Sequence, residues 1–236
     1  MTLRAILQNS SWALSLLEEV ECLYGTQIRL EHDQKLQGEI GVDLSKAIIY
    51  YKLQNTLTED GCVHELFHLK LSKLGCPEIL LKRDIEGNKW RIEIPHFLDD
   101  IFEHYLFFPE LIQQGYSPYT REEYGLSNQL DLILKMNIPQ SGHSTRNSFD
   151  RSEPEIAFLS IVYARAFLEC QSKELQDRCI SLFSTHYLSK AKQLGEELVS
   201  IVKTHAVADF IKFKMGLDKS IQLLSQSDYM KTNVAA

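Results

Sequence analysis

The chain has no paired-cysteine motif. Its five cysteines, Cys22, Cys62, Cys76, Cys170 and Cys179, are odd in number and scattered. That excludes a disulfide framework and a second, cysteine-built zinc knuckle. No run approaches the ~20 apolar residues needed to cross a bilayer, and Met1 to Trp12 lacks the apolar stretch and small-residue cleavage site of a secretory signal. Basic residues form no stripe, because 25 Lys and Arg are mixed with 32 Asp and Glu for a formal charge of -7. Nucleic acid is therefore excluded as a main partner and an anionic membrane surface is disfavoured, since phosphates would go unneutralised. No solenoid-like repeat is legible. These absences together predict a soluble, cytoplasmic protein.

What is present is enough apolar residue, 44% of 236 positions, to bury a substantial core. From Ser11 to Tyr24, Trp12 or Ala13, Leu16, Leu17, Val20 and Leu23 recur at helical spacing, and Gly25 ends the run. Ile28 and Leu30 then alternate with polar residues, as do Leu36, Gly38, Ile40 and Val42, and Ala47 to Tyr51 is β-branched and aromatic. Three short strands leading into a helix predict an α+β fold with a small, mostly antiparallel sheet packed on that helix.

The helix carries the chemistry. In Cys62-Val63-His64-Glu65-Leu66-Phe67-His68-Leu69 two imidazoles stand four residues apart, on one helical face, with a carboxylate beside the first. Thr56-x-x-Glu59 reads as its capping box, and Lys70, Lys73, Gly75 and Pro77 as its end. Val63, Leu66, Phe67, Leu69, Leu71 and Leu74 leave almost no polar face, so the helix is expected to be buried. Buried histidines and a buried glutamate need partners. Zinc would serve the histidines, and a water on the metal would serve Glu65. The plainer reading is two core histidines with ordinary hydrogen bonds.

Downstream, the stretch from Pro77 to Glu93 fits either a hairpin turning at Gly87-Asn88 or a short helix from Glu78. Pro95 is expected to open a helix over His96 to Phe107 that Pro109 stops, with Gly115 ending a further short one. Asp99, Asp100, Glu103 and His104 cluster there among Phe97, Leu98, Ile101, Phe102 and Tyr105, too apolar a setting for an exposed acidic face. Consecutive helical residues point about 100° apart, so only one of Glu103 and His104 can face a metal. His104 is otherwise expected to bond Asp100, one turn earlier. Residues 117–151 form a polar stretch with a short helix near Gln129 to Met136; His143, Arg146 and Tyr124 are its candidates for steadying an oxyanion, and each is also readable as an ordinary surface residue. Residues 152–236 form a helical C-terminal part, with helices from Ser152-Glu153-Pro154-Glu155, near Leu175 to Tyr187, Leu194 to Thr204 and Asp218 to Leu224. His186 and His205 are expected to be packed there, and the tail from Ser225 frayed.

This order of parts, from Ser11 to Gly115, resembles the gluzincin zinc metallopeptidases in their small bacterial form. The resemblance implies a catalytic core over 1–116, with Zn2+ bound by His64, His68 and Glu103 and with Glu65 as general base. The reaction it implies is hydrolysis of peptide bonds in a peptide or protein substrate by a metal-activated water. It also implies that Lys46 to Lys52 is an edge strand to which an extended substrate adds. The chain departs from the family's Asn-Glu-x-x-x-Asp wording, since Phe107 stands where the carboxylate after the ligand would be. A non-catalytic zinc-containing interaction or regulatory protein and a hydrolase of non-peptide amides are the alternatives. The C-terminal helices would wall the cleft or form a homo-oligomer surface, and a protein regulator is a further expected partner.

Overall fold

Polar residues at helix entrances set the elements of the N-terminal part. In the computed structural model, which describes residues 2–36, 39–82, 89–137, 152–185 and 188–233, Thr2 caps α1 (Leu3–Leu7) and Ser10 caps α2 (Ser11–Tyr24). Gly25, at φ 67°, ends α2 in the left-handed region that glycine enters without strain. Three strands follow, β1 (Arg29–His32), β2 (Ile40–Asp43) and β3 (Ile48–Tyr51), in the spatial order β1-β3-β2. The strand β3 is parallel to β1 and antiparallel to β2. The sheet is thus mixed, with one pair of each kind, and not mostly antiparallel. It also corrects the expected substrate edge. Because β3 sits in the middle, its backbone donors and acceptors are used on both sides, and Lys46 to Lys52 cannot take up a further strand.

Next comes α3 (Glu59–Lys73). Its cap is Thr58, whose hydroxyl accepts the Gly61 N–H at 3.1 Å. The capping box expected at Thr56 is absent because Gln54–Thr56 forms a separate 3-10 turn and Leu57 is extended between the two. Gly61 of α3 faces Ile40 of β2, and a Cβ there would meet Ile40 at an ordinary contact of 3.5 Å. Trp12 stacks on Phe67 at 6.1 Å between ring centres, joining α2 to α3.

The chain divides into two compact units, the first built from the chain up to Cys76 with Pro109–Pro118, the second from Pro77–Phe108 and Tyr119–Asn233. In the second, β4 (Glu78–Leu81) pairs antiparallel with β5 (Met230–Asn233). The tail expected to fray therefore supplies a strand. The arm before Gly87 is indeed extended, but residues 91–94, read as its partner from their alternation, begin the long helix α4 (Lys89–Gln113).

Two prolines lie inside α4 where the sequence predicted a start at Pro95 and a stop at Pro109. Each removes a helical hydrogen bond at a cost of about 3 kcal/mol. Ile94, Leu98, Ile101, Phe102, Phe107, Phe108 and Leu111 are all buried, at about 1.5–3 kcal/mol each, and that sum outweighs both prolines. The short helix expected near Gln129 is a longer one, α5 (Pro118–Asn137).

The rest is α6 (Glu153–Leu168), α7 (Lys173–Phe183), α8 (Ser189–His205) and α9 (Phe210–Leu223). Gly195 of α8 meets α6 so closely that a Cβ would stand 2.8 Å from the Ser160 carbonyl oxygen. The described residues form an α+β architecture, mostly helical, with nine α-helices and two small sheets. Among them, no helix is long and apolar enough to cross a membrane.

Candidate metal centre

On α3, His64, Glu65 and His68 are buried, 6%, 4% and 8% exposed. The i, i+4 spacing brings the two Nε2 atoms to 3.1 Å, with ring centres 4.9 Å apart. At that separation the facing nitrogens can hold at most one proton between them, so at least one lone pair points into the gap. The donor set also fits zinc. Two Zn–N bonds of about 2.05 Å whose ends are 3.1 Å apart subtend about 98°, within reach of tetrahedral coordination. The same distance fits an imidazole–imidazole hydrogen bond, which is the plainer reading of the pair.

The first turn of α3 is held in place around this pair. The Tyr116 hydroxyl lies 2.7 Å from Glu59 and 3.1 Å from Ser10, and its ring tilts on Trp12. Burial, with the Glu59 charge adding to it, pushes the Tyr116 phenol up to about 12. Cys62 is raised to about 12 by burial and by the charges of Glu65 and Glu59; it is a packed thiol and no ready metal ligand.

In the second unit, α4 presents Glu103 and His104, 8% and 3% exposed. His104 Nδ1 is 2.6 Å from Glu169 Oε1, a partner the sequence did not suggest. The imidazole stacks on Phe108 at 4.6 Å and meets Phe107 edge-on at 5.4 Å. Phe107, which stands where a carboxylate was looked for, packs this ring. Glu169 in turn receives Arg165 Nε at 2.5 Å, while the Arg165 Nη2 reaches Glu122 at 2.5 Å and Nη1 reaches Gln129 at 3.2 Å. Burial opposes charge on Glu169, but Arg165 and His104 outweigh it and hold the carboxyl well below its ordinary value. Burial likewise opposes a charged His104, and Glu169 prevails, raising it.

Ligand atoms of His104, Glu122 and Glu169 all lie within 4.8 Å of one another. The cluster nevertheless contains its own cation, Arg165, bonded to both carboxylates, and so reads as an ion-pair network and not as a metal cage. The sequence reading missed Glu122, Arg165 and Glu169. The signal was there: Arg165 and Glu169 sit four apart, Glu169 as the C-cap of α6, at the end of a mostly apolar run from Ile156 to Leu168.

Asp99 is committed elsewhere. Its two carboxylate oxygens lie 3.1 and 3.0 Å from the Ile79 N–H, which Asp99 accepts at β4. Although the residue keeps some exposed surface, its carboxyl is set inward, and burial, with the Glu103 charge adding, pushes it well above its ordinary value. Of the other candidates, Tyr124 is 72% exposed and His205 Nε2 lies 2.7 Å from Lys219 Nζ. His143, Arg146 and His186 lie outside the described residues. No family model, curated protein or solved structure matches the chain.

Proposed function

We propose that the chain is a zinc-dependent peptidase of gluzincin type, with zinc held by His64 and His68 and by a third ligand that the resemblance implies is Glu103. The observation that carries the reading is the convergence of two ring nitrogens at 3.1 Å on a buried helix that also carries the buried Glu65. When bound, zinc lowers the pKa of water towards about 7 and polarises a carbonyl.

The chain supplies the proton handling. Glu65 follows His64 by one position, about 100° round the helix, so it flanks the histidine face without sharing it. From there it accepts the proton of the attacking water and returns it to the leaving amine. The burial of α3 excludes bulk water, which strengthens each charge interaction in the site.

The test is zinc content followed by turnover. The purified chain should hold about one zinc, as one three-residue site requires. It should cleave a mixed peptide library and lose that activity to a chelator. Glu65→Gln should keep zinc and fold while turnover drops by at least about 100-fold. Wild-type protein that holds no zinc rejects the reading. Protein that holds zinc and cleaves no peptide favours the non-catalytic or non-peptide alternatives.

A further inference from the structure

Within the second unit, a groove of about 420 Å³ opens where α9 packs on β5. Its lining comes from three separate parts of the chain: Lys82 just beyond β4, the outer turns of α9 from Lys214 to Gln222, and the segment from Ser227 into β5. Backbone pairing brings the first part to the last, since the Lys82 N–H donates to the Tyr229 carbonyl at 2.8 Å and continues the β4–β5 ladder. Ile221 and Met230, both buried, give the groove an apolar floor.

The charge around the groove is one-sided. Lys82, Lys214 and Lys231 line it, and among the described residues Asp218 is its one carboxylate, in a chain whose formal charge is -7. That carboxylate is also shared: Oδ2 meets Lys214 Nζ at 2.8 Å, and Oδ1 accepts the Thr232 hydroxyl at 2.7 Å. The Lys82 ammonium donates to the Ser227 carbonyl, a neutral acceptor. These contacts put two ammonium groups at the groove wall, Lys82 against Ser227 and Lys214 against Asp218. Lysines gathered on one concave surface repel each other, and three against one carboxylate leave two positive charges for a ligand to neutralise.

A phosphate monoester matches that balance, with roughly 1.5 to 2 negative charges near neutral pH and three acceptor oxygens. A carboxylate brings one charge and leaves an ammonium uncompensated. Lysine binds phosphate as a point charge, and the Gln222 amide and the Ser227 hydroxyl add neutral donors in the same lining. A phosphate fills only part of a volume that lies in the range of small-molecule sites, so the floor of Ile221 and Met230 is left for the organic part.

We propose that this groove binds a small phosphorylated molecule, with Lys82 and Lys214 holding the phosphate. It uses no residue of α3 or α4 and is independent of the zinc reading. Calorimetric titration of the full chain with glycerol 3-phosphate tests it, in the presence of a chelator so that phosphate cannot report on a metal. Saturable binding with Kd below about 1 mM is expected, at least about 10-fold tighter than that of acetate and weakened by salt. Glycerol should not bind. Lys82→Gln and Lys214→Gln should each weaken the phosphate ligand at least about 5-fold, with circular dichroism recording that both are folded. Lys212→Gln, on α9 but outside the groove lining, should change it by less than about 2-fold. A wild-type chain that shows no saturable binding up to about 10 mM overturns the proposal. An equal loss for Lys212→Gln also overturns it, since the effect would then be one of diffuse charge. Tighter binding of a phosphoserine peptide than of glycerol 3-phosphate overturns the assignment to a small molecule.

Discussion

The two buried polar clusters of this protein are built on opposite principles. On α3 two imidazoles converge on each other at 3.1 Å, one base facing another. Around α6 a guanidinium is bonded to two carboxylates, and one of these also holds an imidazole. The second cluster brings its own cation and balances its own charge. The first brings lone pairs. Burial alone therefore does not identify a metal site, for Arg165 and Glu169 are as buried as His64; what marks the second cluster is a protein cation bonded to both of its carboxylates.

The comparison breaks most visibly at Arg165. Arg165→Met in metal-free protein leaves Glu122 and Glu169 buried without their counter-ion, and the expected loss is about 3–5 kcal/mol of unfolding free energy. His64→Ala under the same conditions removes one imidazole contact and should cost about 1 kcal/mol. Urea unfolding in the presence of a chelator reads both. Equal losses would mean that the α3 pair is as much a structural element as the network is, and the contrast would fail.

Asp99 sharpens the comparison through pH. Its carboxyl pKa in the folded chain lies above the ordinary 3.8, so the folded state binds this proton more tightly than the unfolded state does. Its contribution is then favourable at low pH and is lost as pH rises from about 3.8 through the folded value. Asp99→Asn retains an oxygen to accept the Ile79 N–H and never ionises. The variant should match wild type near pH 4 and exceed it in stability at pH 8. A difference between the two chains that stays constant with pH would show that the carboxyl is not held protonated by its surroundings.

How far the fold could be read depended on whether the signal was local. Ser10 and Gly25 delimit α2 by cap chemistry and backbone conformation, and both ends fall where the sequence put them. Two strands in the N-terminal part were legible from alternation and the third from β-branched and aromatic content, but their order was not, because nothing in Ile48–Tyr51 records that β1 pairs with it in parallel. The partner of β4 comes from residues 230–233, some 150 positions away, and locally the stretch offered only a hairpin or a short helix. Pro95 and Pro109 misled because proline's cost is local while the aromatic burial that outweighs it is tertiary. At the candidate site, His64, Glu65 and His68 follow from spacing alone. Glu169 could not, since its contact with His104 joins residues 65 positions apart.

The smallest effect is expected at the turn between β2 and β3. Asp43 accepts the Ser45 and Lys46 N–H groups at 3.1 Å each, takes the Ser45 hydroxyl at 2.7 Å and meets Lys46 Nζ at 2.8 Å. Lys46 first and then Ser45 lower its pKa to about 2. A depressed carboxyl contributes stability above its ordinary value, and that contribution is lost as pH falls towards about 2. Yet Lys46 is 62% exposed, and solvent screens most of the pair. Asp43→Ala should therefore cost no more than about 1 kcal/mol at neutral pH. The ion-pair part of that cost should shrink at high salt, and zinc affinity should not move at all. A larger loss in urea unfolding, or any change in chelator competition, would mean that the turn leading into β3 helps to position α3, and the clusters could no longer be treated as independent of the sheet.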